Sequence, residues 1–240
     1  KQKKGEDPNL FTQVKYLIGK QGLDNVMNYD KVKRENYVYN SEYVNKDKKG
    51  IFSPEEIGKY SSKINFIMKQ VENSEGIVLI YSQYIDSGCV PLALALEELG
   101  YGRYKRSNLF KKPPVAKNNK KYAMITGSLN ISPNNKEEIK AVSNSNNING
   151  EKIKVVIISE AGSEGIDFKN IRQIHILDPW WNLNRIEQII GRGIRHCSHN
   201  GLTGEKRNVY VFKYVSSEPG KKYKESAEEK IYREIEKLDI

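Results

Sequence analysis

Ile77-Val78-Leu79-Ile80-Tyr81, running on into Ser82-Gln83, is the stretch from which the fold is read. Five consecutive apolar residues leave no polar face for water, which suits a strand buried on both faces of a parallel sheet. Downstream, Leu92, Ala95, Leu96 and Leu99 fall on one stripe of a helix over 91–99, and Gly100 supplies its stop. That is a β–α unit, and the alternation continues outward. Residues 122–126, closed by Gly127, read as a short strand, 136–142 as a helix and 153–158 as a strand. Residues 174–177, ending at Asp178-Pro179, read as another strand, 184–195 as a helix and 209–215 as a late strand. Upstream, Ile64, Ile67, Met68 and Val71 recur at helical spacing, and Ser53-Pro54-Glu55-Glu56 carries the cap, proline and acids of a helix start. Residues 226–238 predict a charged amphipathic helix, with Ser226-Ala227-Glu228-Glu229 as its capping box. Strands alternating with helices predict an α/β domain with a central, mostly parallel sheet over 52–240. Residues 1–51 are polar and read as an irregular extension or linker, with 14–18 and 37–39 as small strands or packing segments.

Composition narrows the partners. The 240 residues carry 40 Lys and Arg against 30 Asp and Glu, a net charge of +10, which favours an anionic partner. No apolar run approaches 18 residues, so no membrane span is predicted, and the first ten residues lack a signal-peptide core. Two distant cysteines, Cys89 and Cys197, suit a reducing, intracellular setting better than a disulfide framework. A chain opening on Lys1 is expected to be a piece of something longer.

In an open α/β sheet, ligands bind beyond the carboxyl ends of the strands. Two segments there carry the chemistry. In 159–167, Gly162 and Gly165 allow close approach of backbone to a ligand, and Asp167 suits a sugar hydroxyl. The competing reading is a tight strand-to-helix connection. In 188–195, Gln188, Arg192 and Arg195 are spaced to share one helical face, where paired guanidinium groups suit bidentate capture of phosphate oxygens. The competing reading is a solvated basic face, which the helix-weakening Gly191 and Gly193 count against. No GxxxxGK[ST] occurs, so the chain has no phosphate-cradling P-loop of its own.

The order Ser159…Gly165-x-Asp167, Asp178, then Gln188-x-x-Gly191-Arg192-x-x-Arg195 resembles motifs V and VI of superfamily 2 helicases. Asp178-Pro179-Trp180-Trp181-Asn182 is in step with the DxxWN of Swi2/Snf2-type ATPases, Ile80–Gln83 resembles their motif IV strand end and Ile125-Thr126-Gly127 their following TG strand. Residues 226–231 resemble the opening of their closing helix. The transcription-associated ATPases of large cytoplasmic DNA viruses are similar at 176–182, 185–188 and 191–199. The resemblance spans 52–240 and is densest over 153–199.

It implies the second RecA-like lobe of a two-lobe motor, with ATP and Mg2+ held mainly by a first, N-terminal lobe in cis. By the same resemblance Arg192 and Arg195 act as arginine fingers, Gln188 supports them, and Gly165, Asp167 and Gly191 meet the nucleotide. Ser82, Thr126, Gly127, Ser159, Trp181 and Asn182 fall where the family meets the DNA or RNA backbone. A viral transcription role, with virion and host cytoplasm as its place, is the further expectation. The Walker A lysine and Walker B Asp-Glu belong to the other lobe, so this chain alone is expected not to turn over ATP. The alternative is a non-catalytic nucleic-acid-binding or interaction module of RecA-like fold. A free-standing phosphate-binding enzyme is disfavoured, because no nucleophile or base constellation is present.

Two further features invite a role. His196-Cys197-Ser198-His199 lacks the spaced four-ligand pattern of a zinc site, so no metal is predicted, and His199 is expected against a phosphate or a neighbouring loop. Residues 101–136 contain no acid and interleave Tyr101, Tyr104, Phe110 and Tyr122 with lysines and arginines. That pattern suits single-strand binding by stacking and phosphate neutralisation, against a solvated, flexible insertion.

Overall fold

The computed structural model describes residues 17–112, 119–162, 165–180, 182–217 and 225–238. Its centre is a six-stranded sheet in the order β4-β5-β6-β3-β7-β8, with every pairing parallel. The strands are β3 (Ile77–Tyr81), β4 (Gly102–Arg103), β5 (Lys121–Ile125), β6 (Val155–Ile158), β7 (Ile171–Ile176) and β8 (Tyr210–Lys213). The opening pentapeptide is β3, flanked by β6 and β7, and all five of its residues are buried. β7 begins three residues earlier than its apolar core suggests.

Helices cover both faces. α2 (Ser62–Asn73) buries Ile64, Ile67, Met68 and Val71, the spacing read from the sequence, and Ser61 caps it by accepting from the Ile64 N–H at 3.2 Å. The helix start expected at Ser53-Pro54 is a turn; a single helical turn, Ile57–Tyr60, follows it. α3 (Val90–Glu98) is buried on all sides rather than along one stripe, because it lies between the sheet and residues 17–52. Gly100 ends it at φ 87°, a conformation open to glycine. α4 (Asn135–Val142) and α6 (Ala227–Leu238) form where helices were predicted. The capping box is present: the Ser226 N–H donates to the Glu229 carboxylate at 2.7 Å and the Glu229 N–H to the Ser226 hydroxyl at 3.1 Å.

The N-terminal region departs from expectation. Residues 19–39 form a helix, α1 (Gly19–Val26), and an antiparallel hairpin of β1 (Met27–Asp30) and β2 (Glu35–Tyr39). Leu23, Met27 and Tyr37 join the same buried cluster as α2 and α3. Ile51 and Phe52 are buried in that cluster too. Residues 1–16, including part of the apolar patch at 14–18, lie outside the described residues.

The acid-free segment is corrected as well. Tyr101, Phe110 and Tyr122 are core residues at 2, 7 and 0 % exposure, so these rings cannot stack on bases. Buried Glu97 accepts from the Leu109 and Phe110 N–H groups and the Tyr122 hydroxyl at 2.7, 2.9 and 2.6 Å, which ties the segment down. The Pro113-Pro114 loop lies outside the described residues.

Candidate functional site

Because the strands are parallel, Ser82, Thr126, Ser159 and Leu177 form one row beyond the strand ends. The row is tightly bonded. The Ser82 hydroxyl donates to Asp178 at 2.6 Å, and the Gln83 N–H reaches the same carboxylate oxygen at 3.0 Å. Burial raises the Asp178 pKa, against these two donors. Thr126 and Ser132 hydroxyls meet at 2.7 Å, and Ser159 Oγ accepts from the Gly127 and Gly162 N–H groups at 3.4 Å. Ser82, Thr126 and Ser159 are buried, their hydroxyls taken up by these neighbours. They shape loops in which Gly127, Leu129, Asn130, Glu160 and Ala161 are exposed. A Cβ on Gly127 would come within 2.4 Å of the Ala161 methyl, so this loop crossing needs glycine.

α5 (Leu183–Gly193) descends from this row. Asn182 is its cap, accepting from the Asn184 N–H at 2.9 Å, which gives the exposed Asn182 a local structural task. Trp181 lies outside the described residues. Ile186 and Ile189 anchor the helix on the sheet. Gly193 allows that approach: a Cβ there would lie 3.1 Å from Ile174 Cδ1 and 3.3 Å from Ile171 Cβ. Gly191 faces open space, so only one of the two glycines is required by packing.

Gln188 and Arg192 stand together on the outer face, lining a groove of about 270 Å³ with Glu160, Trp180, Asn182 and Arg185. Arg185 pairs with Glu160 and lies 4.4 Å from the Trp180 ring centre, forming one wall. No partner holds the Arg192 guanidinium or the Gln188 amide among the described residues. Arg185 was not singled out from the sequence, although its position three before Gln188 and seven before Arg192 puts it on the same face.

Arg195 is not on that face. The helix stops at Gly193, Ile194 leaves helical geometry, and Arg195 turns to Asp167, with Nη1 2.6 Å from Oδ2 and Nε donating to the Gly191 carbonyl at 3.3 Å. Both partners of the pair are about half exposed. The Phe168 N–H donates to the Arg192 carbonyl at 2.8 Å and fastens the 165–168 strip to the end of α5. Gly165 is exposed at φ 67°. Asp167 and Arg195, with Gly191 and nearby Gly165, thus gather at the C-terminal end of α5, while Gln188 and Arg192 line the groove along its outer face. His199 bridges the Ser198 hydroxyl (2.8 Å) and the Ile171 carbonyl (2.7 Å), a loop tie. No grouping of His, Cys, Asp and Glu suited to a metal occurs among the described residues, nor is any described helix long and apolar enough to cross a membrane.

Comparison with known proteins follows this geometry. The helicase conserved C-terminal domain pattern matches residues 62–197. A putative ATP-dependent RNA helicase of Acanthamoeba polyphaga mimivirus is 34% identical over 164 residues, covering 68% of this chain and 27% of that protein. A putative helicase of Invertebrate iridescent virus 3 is 35% identical over 188 residues, 76% of this chain and 19% of that protein. The termination factor NPH-I homolog of African swine fever virus is 32% identical over 184 residues, 65% of this chain and 26% of that protein. The chain thus spans between 19% and 27% of these curated relatives. Among solved structures, the C-terminal part of the Fun30 ATPase domain aligns at a TM-score of 0.48 and 21% identity, covering 75% of this chain and 50% of that one.

Proposed function

Since this chain belongs to the helicase conserved C-terminal domain family, with its RecA-like parallel sheet, we propose that it is the second lobe of a nucleic-acid-dependent ATPase. The observation that carries the reading is the placement of Gln188 beside a half-buried Arg192 on the outer face of α5, its guanidinium without a partner among the described residues. With its main chain held by the helix and by the Phe168 N–H on its carbonyl, Arg192 can turn its guanidinium to the phosphate oxygens of a nucleotide seated on the opposite lobe. The donors along the groove, Gln188, Arg192 and Arg185, fit the phosphates of ATP, and the described carboxylate that lines it, Glu160, is paired with Arg185. These donors do not fit Mg2+, whose oxygen ligands would come from the first lobe. Charge developing on the transferred γ-phosphoryl would be stabilised by Arg192, with Gln188 orienting it.

Arg195 takes a second position in the same reading. Its bond to Asp167 is exposed on both sides, so screening keeps it weak, and an arriving triphosphate can compete for the guanidinium. Asp167 would then be released toward a ribose hydroxyl beside Gly165. The Gly127 loop, and the row of inward hydroxyls that shapes it, would meet a nucleic-acid backbone through main-chain groups. Lobe closure around ATP would couple nucleotide state to movement along the strand. A role in viral transcription is the setting that a relative described as a termination factor NPH-I homolog supports, and virions and host cytoplasm would be its place.

In the full-length protein, Arg192→Ala is expected to lower nucleic-acid-stimulated ATP hydrolysis by about 10³-fold or more, on the scale of arginine-finger losses. Arg195→Ala is expected to lower it as well, with nucleic-acid affinity nearly unchanged in both. The isolated chain is expected to show no turnover. Wild-type hydrolysis in Arg192→Ala would remove the finger role, and turnover by the isolated chain would remove the two-lobe reading.

A further inference from the structure

We propose that the groove between β2 and residues 109–112, on the β4 side of the sheet and away from α5, binds the phosphate backbone of single-stranded nucleic acid. The proposal rests on the nucleic-acid reading above and adds a second contact site to it.

The groove measures about 700 Å³ and is lined by Lys48, Lys49, Lys111 and Lys112 around Tyr39 and Phe110. Both walls are fixed. In the 45–49 turn, the Asn45 side chain accepts from the Asp47 and Lys49 N–H groups at 2.9 Å, and the Asn45 N–H donates to the Lys49 carbonyl at 2.8 Å. Lys48 sits at φ 60°, a left-handed conformation that a non-glycine residue keeps only where its surroundings impose it. Opposite, the Lys111 N–H donates to the Tyr37 carbonyl at 3.0 Å and the Tyr37 N–H to the Leu109 carbonyl at 2.8 Å. The floor is Tyr39 against Phe110, ring centres 5.2 Å apart, and Gly50 admits the Tyr39 ring, which a Cβ would approach to 2.1 Å.

Charge selects the occupant. Lys48, Lys111 and Lys112 are exposed and meet no carboxylate among the described residues. Lys49 is shared with an exposed Glu55 at 3.3 Å. Of the two acids present, Asp47 is at the exposed rim. Glu98 accepts the Tyr39 hydroxyl at 2.7 Å, and burial raises its pKa toward the neutral form. Ammonium groups along two rigid walls suit a regular series of phosphates, and a floor in which Phe110 is 7 % exposed offers little face for a base. The lysine-rich turn and the acid-free segment, some sixty residues apart, meet here because the N-terminal hairpin packs on the domain.

The test uses the full-length protein and labelled oligothymidylate and oligouridylate, with affinity measured across a potassium chloride series. Each phosphate contact to a single strand contributes about −0.7 to the slope of log K against log salt. The triple change Lys48→Ala, Lys111→Ala, Lys112→Ala is expected to flatten that slope by about 2, with the melting temperature unchanged. The matching triple change to Arg is expected to keep it. An unchanged slope in the alanine variant overturns the groove. So does a three-lysine dependence seen only for labelled polyglutamate, which would assign the groove to an acidic polypeptide. Absence of nucleic-acid-stimulated hydrolysis in the parent protein would overturn the motor reading as well, whereas stimulated hydrolysis with an unchanged slope overturns the groove alone.

Discussion

Glu138, on the inner side of α4, is 2 % exposed, yet neither of its carboxylate oxygens meets a donor among the described residues. Burial pushes its pKa up to about 7, with Arg103 and Arg106 pulling the other way. The folded value lies above the ordinary 4.5. The stability contributed by the neutral acid is therefore complete below about pH 4.5 and lost as pH rises through 7. The urea midpoint of the chain is expected to fall between pH 5 and 8, and Glu138→Gln is expected to flatten that fall. Glu97, also pushed up to about 7 by burial, contributes the remainder. An unaltered slope in Glu138→Gln would place the whole pH dependence elsewhere. His175 works in the opposite sense: burial lowers its pKa to about 4, so its contribution is lost as pH falls from about 6.5 through 4.

At the scale of the element, α5 separates two glycines that look alike in sequence. Gly191→Ala meets open space and is expected to stabilise the chain by up to about 1 kcal/mol through helix propensity. Gly193→Ala sets a Cβ against Ile171 and Ile174 and is expected to cost about 1 kcal/mol or more, as overpacking outweighs propensity. Urea unfolding of the two variants checks the opposite signs, and equal effects would refute the packing role. The same helix shows where sequence reading reaches its limit. Residues 188, 192 and 195 have helical spacing, but spacing does not say where the helix ends. Its end is fixed by the bond from Phe168 to Arg192 and by Arg195 turning to Asp167, both contacts across some twenty-five residues. β3, the buried face of α2 and the capping box of α6 were legible, because each depends on neighbours within a few residues. The hairpin was legible only at 37–39, read as a small strand or packing segment: β1 and β2 are short, and Tyr37 is fixed by Leu109, some seventy residues away. The rings of 101–122 were misread for the same reason, since a charged neighbourhood in sequence hides a core position in space.

For the whole molecule, the hairpin is part of the domain's packing. Met27 and Tyr37 are each 1 % exposed, and Tyr37 stacks on Tyr29 with centres 4.4 Å apart. Met27→Ala is expected to cost about 2 to 5 kcal/mol, the range for buried methionine truncation, as measured by urea unfolding. A cost near zero would make residues 17–51 a peripheral attachment. Stabilising both regions together also keeps the lysine walls in place, so loss of the hairpin core is expected to affect the groove without touching α5.

The placement of β3 has a consequence for biosynthesis. Its neighbours in the sheet lie far along the chain: Val78 aligns with Val155 on one side and Ile77 with Ile171 on the other. At translation rates of about 5–20 residues per second, the central strand emerges roughly 4 to 15 seconds before its first flanking strand and longer before its second. During that interval five apolar residues with two open edges must be sheltered, and α3, apolar from Val90 to Leu96, emerges beside them. Nascent chains paused before residue 155 are therefore the species from which aggregation, or capture by a chaperone, would begin.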